Sequence, residues 1–245
     1  MRPKCKLFNC FFFFFTLFSL YAQKSIDHQQ LLWVRYNLKL NLNQSFTLQQ
    51  ELEERTYWFP WRQHQFLSRT HLEKSVGNNW KLGVAFAYLE QSLPNNPHIK
   101  NYDKVVELRP QLEISNTQNL INKLSLDHRF WMEFKFFEQP NNSFNFGYTK
   151  TRYRLEFRYD AFNNTTLKVF DEIHLNLGKE IVNNVFDQNR YGTSIQIMAS
   201  NNLGFELGYM NLFQQKQTSG DFYNRNIIRF TIHNNFNLNK SKKQV

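Results

Sequence analysis

Cysteine is almost missing from this sequence, and both copies, Cys5 and Cys10, fall within the first ten residues. Behind that segment no thiol remains, which excludes disulfides, thiol catalysis and cysteine metal sites from the rest of the chain. Long apolar runs are lacking as well. After Leu20 there is no stretch of about 18 apolar residues, so the sequence encodes no membrane-spanning helix. Glycine is scarce, at eight residues, and asparagine stands at the turn-like positions instead. Gly-rich phosphate loops, flexible linkers and low-complexity segments are absent. Mean hydropathy is negative, at −0.60. That value does not exclude a membrane, because a β-barrel hides its membrane signal in alternation.

The amino terminus carries Arg2, Lys4 and Lys6, then the apolar run 11–20, then Tyr21-Ala22-Gln23. A basic region, a short apolar region and a small residue at its end predict a secretory signal peptide over residues 1–22, cleaved after Ala22. The run is too short for a spanning helix, which needs about 20 apolar residues. Cys10 precedes the run rather than following it, which argues against a lipoprotein anchor. Export leaves 27 of the 30 basic residues against 20 acidic ones, so the formal charge falls from +10 to +7. A basic balance suits nucleic acid in some proteins. Here the export signal and the scattering of charge along strands exclude that partner.

The stretch Lys150-Thr-Arg-Tyr-Arg-Leu-Glu-Phe-Arg-Tyr-Asp160 shows what organises the remainder. Arg152, Arg154, Glu156 and Arg158 share one face of a strand, and Tyr153, Leu155, Phe157 and Tyr159 share the other. The same alternation recurs along the chain in eleven strand-like segments, at about 31–42, 45–57, 64–76, 80–91, 104–115, 121–137, 144–162, 166–177, 188–199, 203–213 and 223–238. Short connections alternate with long ones, and aromatics such as Trp58, Trp61, Phe136 and Phe222 gather beside the long ones. Others, including Phe46, Trp80 and Phe205, follow the short turns. Two aromatic girdles around an apolar band are the mark of an outer-membrane barrel. The expected fold is all-β, a transmembrane antiparallel up-and-down barrel of ten to twelve strands over residues 31–239. Because single-chain bacterial barrels have even counts, twelve is preferred, with residues 23–30 as an N-terminal segment or a short extra strand. Residues 240–245 form a C-terminal tail beyond Phe236 and Leu238, the expected core of the assembly signal. Three residues break the pattern. Pro110 removes a ladder donor, and His128 and Asp171 fall on the outward face.

The inward face supplies the candidate site, a network of Glu51, Glu53, Arg55, Arg69, Glu73, Glu107, Arg109, Glu113, Asp127, Arg129, Glu133, Arg152, Arg154, Glu156, Arg158, Glu172, Arg190, Arg225 and Arg229. The first reading is a ladder of ion pairs filling a narrow lumen, in a barrel with a structural or assembly-associated role. The second is a narrow channel in which the excess of arginine, notably Arg152, Arg154, Arg158, Arg190, Arg225 and Arg229, favours anions. The third is a lipid hydrolase using Ser194 with His71, His174 or His233. It lacks a motif such as His-x-Ser-Asn-Gly, so no catalytic residue is assigned. No cofactor is expected, and no metal, because no His/Asp/Glu cluster has ligand spacing. The expected partners are outer-membrane lipid, the barrel-assembly machinery and, if the lumen is open, a small solute. The setting implied is the outer membrane of a Gram-negative bacterium.

Trp33, the run Glu51-Leu-Glu-Glu-Arg55, the Glu107-Leu-Arg109 strand and Arg152-Tyr-Arg-Leu-Glu-Phe-Arg158 together resemble the domain of unknown function 2490 family. The resemblance implies an outer-membrane barrel of the kind common in Bacteroidetes and relatives. It implies no established activity and no catalytic residues. The barrel reading predicts that the protein, extracted from membranes, migrates faster on a gel unheated than boiled. Recovery as soluble periplasmic protein without such a shift would sink it.

Overall fold

A computed structural model of the chain describes residues 24–217 and 220–238. The expected signal peptide and the tail at 240–245 lie outside the described residues. Eleven strands make one closed sheet: β1 (Ile26–Asn41), β2 (Phe46–Tyr57), β3 (Arg62–Gly77), β4 (Trp80–Leu93), β5 (Asp103–Ile121), β6 (Leu124–Glu138), β7 (Phe144–Phe162), β8 (Thr165–Leu177), β9 (Phe186–Met198), β10 (Leu203–Gln215) and β11 (Phe222–Asn237). Each strand pairs antiparallel with its sequence neighbours, as alternation and short turns require.

The preference for twelve strands is corrected to eleven. Residues 26–30 form no strand of their own. They lengthen β1, whose ladder with β11 starts at Ile26↔Phe222 and runs to Asn41↔Asn237. The all-antiparallel expectation is corrected with it. Strands that alternate in direction bring the first and eleventh round pointing the same way, so the barrel closes on a parallel β1–β11 pair. Parallel pairing still satisfies the N–H and C=O groups of both edges, with slanted bonds of slightly lower stability. The two ends of the sheet therefore lie at opposite rims. β1 begins at the rim carrying the long connections 58–61, 94–102, 139–143, 178–185 and 216–221, and β11 ends at the rim of short turns.

Local chemistry accounts for the details. Asn78 and Asn79 both adopt positive φ, 49° and 60°, which is the geometry of a tight hairpin turn and suits asparagine. Pro110 pairs with Phe86 on β4, but the ladder to β6 skips from Leu108↔Phe136 to Gln111↔Glu133 around it. The missing donor thus interrupts one ladder and leaves the strand intact. The β5–β6 hairpin runs further than alternation implied, to Ile121↔Leu124, with the Thr117 hydroxyl donating to Asp127 at 2.5 Å inside the barrel.

Burial follows the two faces. On β10, Gly204, Glu206, Gly208 and Met210 are buried while Phe205, Leu207 and Tyr209 are exposed. With no second layer in the fold, burial means facing the lumen. The lumen is not wholly polar. Leu31, Trp33, Tyr57, Phe170, Met210, Leu212 and Ile227 form an apolar patch on the wall from β8 through the β1–β11 seam to β2. Each of these large side chains gains about 1.5–3 kcal/mol from leaving water. Gly192 makes room beside this patch, since a Cβ there would meet the Tyr209 carbonyl oxygen at 2.4 Å and Met210 Cβ at 2.8 Å. Gly192→Ala is expected to cost about 1–3 kcal/mol, read as a lower urea midpoint for the barrel folded in lipid vesicles. An unchanged midpoint would show that β10 yields freely at this point.

Candidate functional site

The closed sheet brings nearly all of the predicted inward charges together, because every even or odd set on a strand points at the same narrow axis. On the β1–β2 side, the Glu53 carboxylate is fully buried and receives Arg35 Nη2 at 2.7 Å and Arg55 Nη2 at 2.6 Å. Glu51 lies 3.7 Å from Arg35 and 3.6 Å from Arg69. Across the lumen, Glu133 receives Arg152 at 2.6 Å and the Gln111 amide at 2.9 Å, with Arg109 at 3.7 Å. Glu107 pairs with Arg109 at 2.5 Å and Lys135 at 3.2 Å. Glu172 is the hub on β8. Arg129, Arg152 and Arg154 lie 3.3, 3.6 and 3.4 Å from it, and His174 Nε2 donates to it at 2.7 Å. Arg154 also pairs with Glu156, and Arg158 with Asp127 at 2.5 Å. Glu206 gathers Lys168 at 2.7 Å, Arg229 at 3.4 Å and His233 at 3.2 Å.

Aromatic rings hold several of these guanidinium groups flat. Trp131 has Arg69, Arg129 and Arg152 over its ring at 4.7, 5.2 and 4.5 Å. Arg55 lies 3.9 Å from the Trp33 centroid, and Arg154 lies 3.7 Å from that of Phe170. A guanidinium takes both a carboxylate in its plane and a ring on its face, which an ammonium group does less well. The small residues of β4 make the space for this. His71 Nε2 would sit 2.1 Å from a Cβ on Gly83, so only glycine admits the ring there.

Some predicted members are placed otherwise. Glu73 pairs with Lys81 at 2.8 Å, and Glu113 lies 3.6 Å from His71, rather than either joining the arginine belt. Among the described residues, Arg190 and Arg225 have no carboxylate within ion-pair distance. Alternation alone missed Asp187. It lies in a stretch without apolar periodicity, yet it is the second residue of β9 and binds Lys150 at 2.6 Å. Lys81, Lys135, Lys150, Lys168 and Glu206 were legible as inward positions and belong to the network too. The histidines weighed for hydrolysis face acids: His174 bonds Glu172 and accepts from Gln188 at 3.1 Å, and His233 meets Glu206.

Three cavities follow one another along the axis. One of about 620 Å³ opens toward the long connections and is lined by Trp33, Arg55, Lys150, Asp187, Arg190 and Arg225, among others. One of about 340 Å³ is walled by Arg35, Glu51, Arg69, Arg152, Glu172 and Arg229. One of about 650 Å³ opens at the short-turn rim beside Asn119, Lys123 and Asp160. Arg55 and Arg190 line both the first and the second. Glu156, Arg158 and Lys168 line both the second and the third.

A closed up-and-down sheet with a charged lumen and an apolar outer face places the protein in the class of β-barrels. A solved structure titled "NanC porin structure in rhombohedral crystal form" has the same fold, with a TM-score of 0.51 at 9% identity, covering 83% of this chain and 97% of that one. Comparison with curated proteins finds no match. The chain belongs to the family described as protein of unknown function (DUF2490), which matches residues 30–224.

Glu172→Gln is expected to destabilise the barrel by about 1–3 kcal/mol, because half-buried Arg129 loses its counter-charge and Arg152 and Arg154 each lose one of two. Glu90→Gln, which breaks a pair with Lys104 whose side chain is 49% exposed, is expected to change stability by no more than about 1 kcal/mol. Equal effects in chemical unfolding would contradict the buried network.

Proposed function

We propose that this protein is an outer-membrane barrel that lets small anions pass along a narrow, arginine-walled lumen. The carrying observation is the run of three cavities from rim to rim, with Arg55 and Arg190 lining the junction of the first two. Side chains just fill a barrel of about eight strands, and eleven leave room beyond them. Cations outnumber carboxylates along the wall, and a low-dielectric barrel focuses that field on the axis. Rings of arginine and lysine favour anions in pores. The outer face supports the setting, with Val84, Phe86, Leu112, Val169 and Leu207 all exposed around the girth. No water-filled medium suits such a band, and lipid does.

A second reading rests on the density of pairing at Glu133 and Glu172, whose side chains are 1% and 3% exposed. There the network serves as a brace between the walls, and the role of the barrel is structural. Planar-bilayer recording separates the two. The passage reading expects small, steady openings whose reversal potential in a potassium chloride gradient reports anion preference, with that preference reduced several-fold in Arg55→Gln. Silence from a sample with verified heat-shifted mobility, or cation preference, would remove it in favour of the brace.

A further inference from the structure

We propose that the cavity at the long-connection rim holds a binding site for a small oxyanion, a carboxylate or a phosphate, between Arg190 and Arg225. The inference deepens the passage reading by naming where along the lumen an anion dwells.

Among the described lumenal guanidinium groups, Arg190 and Arg225 lack a carboxylate within ion-pair distance. Arg62 at the start of β3 lacks one too, but it donates to the backbone carbonyls of Pro94 and Asn96 at 2.9 and 2.6 Å. Arg225 is only 3% exposed. Its Nε donates to Gln29 at 2.8 Å and its Nη1 to Gln214 at 2.5 Å, both neutral amides, and its Nη2 is buried with no hydrogen-bond partner. The Arg190 Nε is likewise buried without a partner, and its guanidinium lies 5.6 Å from the Trp33 ring. A buried charge left without a counter-ion costs several kcal/mol. The structure offers no internal relief. Asp187, the carboxylate lining this cavity on β9, is taken by Lys150 at 2.6 Å and accepts from Gln214 at 3.2 Å. Glu172, which faces Arg190 across the β8–β9 register, is shared among Arg129, Arg152, Arg154 and His174.

Register makes the pair a fork. Arg225 lies opposite Leu212, and Leu212 lies opposite Arg190. Two strand spacings separate the arginine backbones by about 10 Å, a gap that two arginine side chains span from either side. The Leu212 side chain between them is short, so the space above it is open to the cavity. A volume of about 620 Å³ lies within the range of small-molecule sites. Its lining residues Asn95 and Gln217 belong to long connections, so solute enters from that rim. Planar, bidentate guanidinium donors match carboxylate and phosphate oxygens rather than simple halides.

The test is equilibrium binding to the full, detergent-folded protein by calorimetry, with inorganic phosphate and succinate as separate probes. At least one probe is expected to bind at one site per chain. Arg190→Gln and Arg225→Gln are each expected to weaken it about tenfold while keeping heat-shifted mobility. Arg190→Lys, which keeps charge but loses the fork, is expected to fall between, and it serves if Arg190→Gln fails to fold. Binding of phosphate alone marks a phosphate site, and binding of succinate alone a carboxylate site. No heat with either probe, or unchanged affinity in the folded variants, overturns the proposal. Conduction is not needed for this readout, so a silent bilayer with binding intact removes the passage and leaves the site.

Discussion

Charges inside a closed barrel have nowhere to turn but toward one another. A soluble sheet lets a charged side chain lean into water, but a barrel of eleven strands points its inward residues at a common axis. Each guanidinium must then find a carboxylate, a ring or an amide. Arg152 shows the consequence, reaching Glu133 on β6 and Glu172 on β8 while lying over Trp131. One side chain ties three strands. Repeated around the lumen, such ties hold the walls at fixed separation, and the cavities are what that separation leaves.

The outer face obeys the complementary rule, that a polar group without water must pair within the sheet. His128 and Tyr153 share a hydrogen bond at 2.7 Å across the β6–β7 ladder. Gln50 donates to Ser68 and accepts from Thr70, at 3.1 and 2.6 Å. Asn189 donates to both Asp171 oxygens, at 3.0 and 3.2 Å. The two outward exceptions visible in the alternation, His128 and Asp171, are therefore cross-strand pairs, not register errors. Their partners sit on neighbouring strands, so a single strand's pattern shows the polar residue and not what satisfies it.

That distinction separates what was legible from what was not. Period-two alternation puts Glu53, Glu133, Arg152 and Glu172 on one face of their strands, because that face is set by sequence parity alone. It read residues 26–30 poorly, since Ile26-Asp-His-Gln-Gln30 has no apolar face, and parallel pairing to β11 is what makes it strand. It also missed the apolar lumen wall. Phe170, Met210 and Ile227 are inward by parity, but an inward apolar residue contradicts the simple rule of lipid outside and charge inside. They cluster beside the seam where β1 and β11 meet in parallel. Apolar packing there supports the ladder with the slanted, slightly weaker bonds.

The seam and the charge imbalance bear on each other. An apolar wall through β8, β10, β11 and β1 leaves fewer positions for carboxylates on that side of the lumen. Leu212 occupies the position opposite both Arg190 and Arg225, and Trp33 lies beside Arg190, where an acid would otherwise pair with them. The arginines opposite, around Glu133, are counter-charged because their wall carries Glu107, Glu133 and Glu172. So the same residues that close the barrel leave two arginines without a carboxylate partner and hold them against an open cavity. A uniform ion-pair filling would give a neutral, rigid rod. A lumen with an apolar seam and two guanidinium groups that lack carboxylates is basic along one side, and the proposed passage of anions draws on that asymmetry.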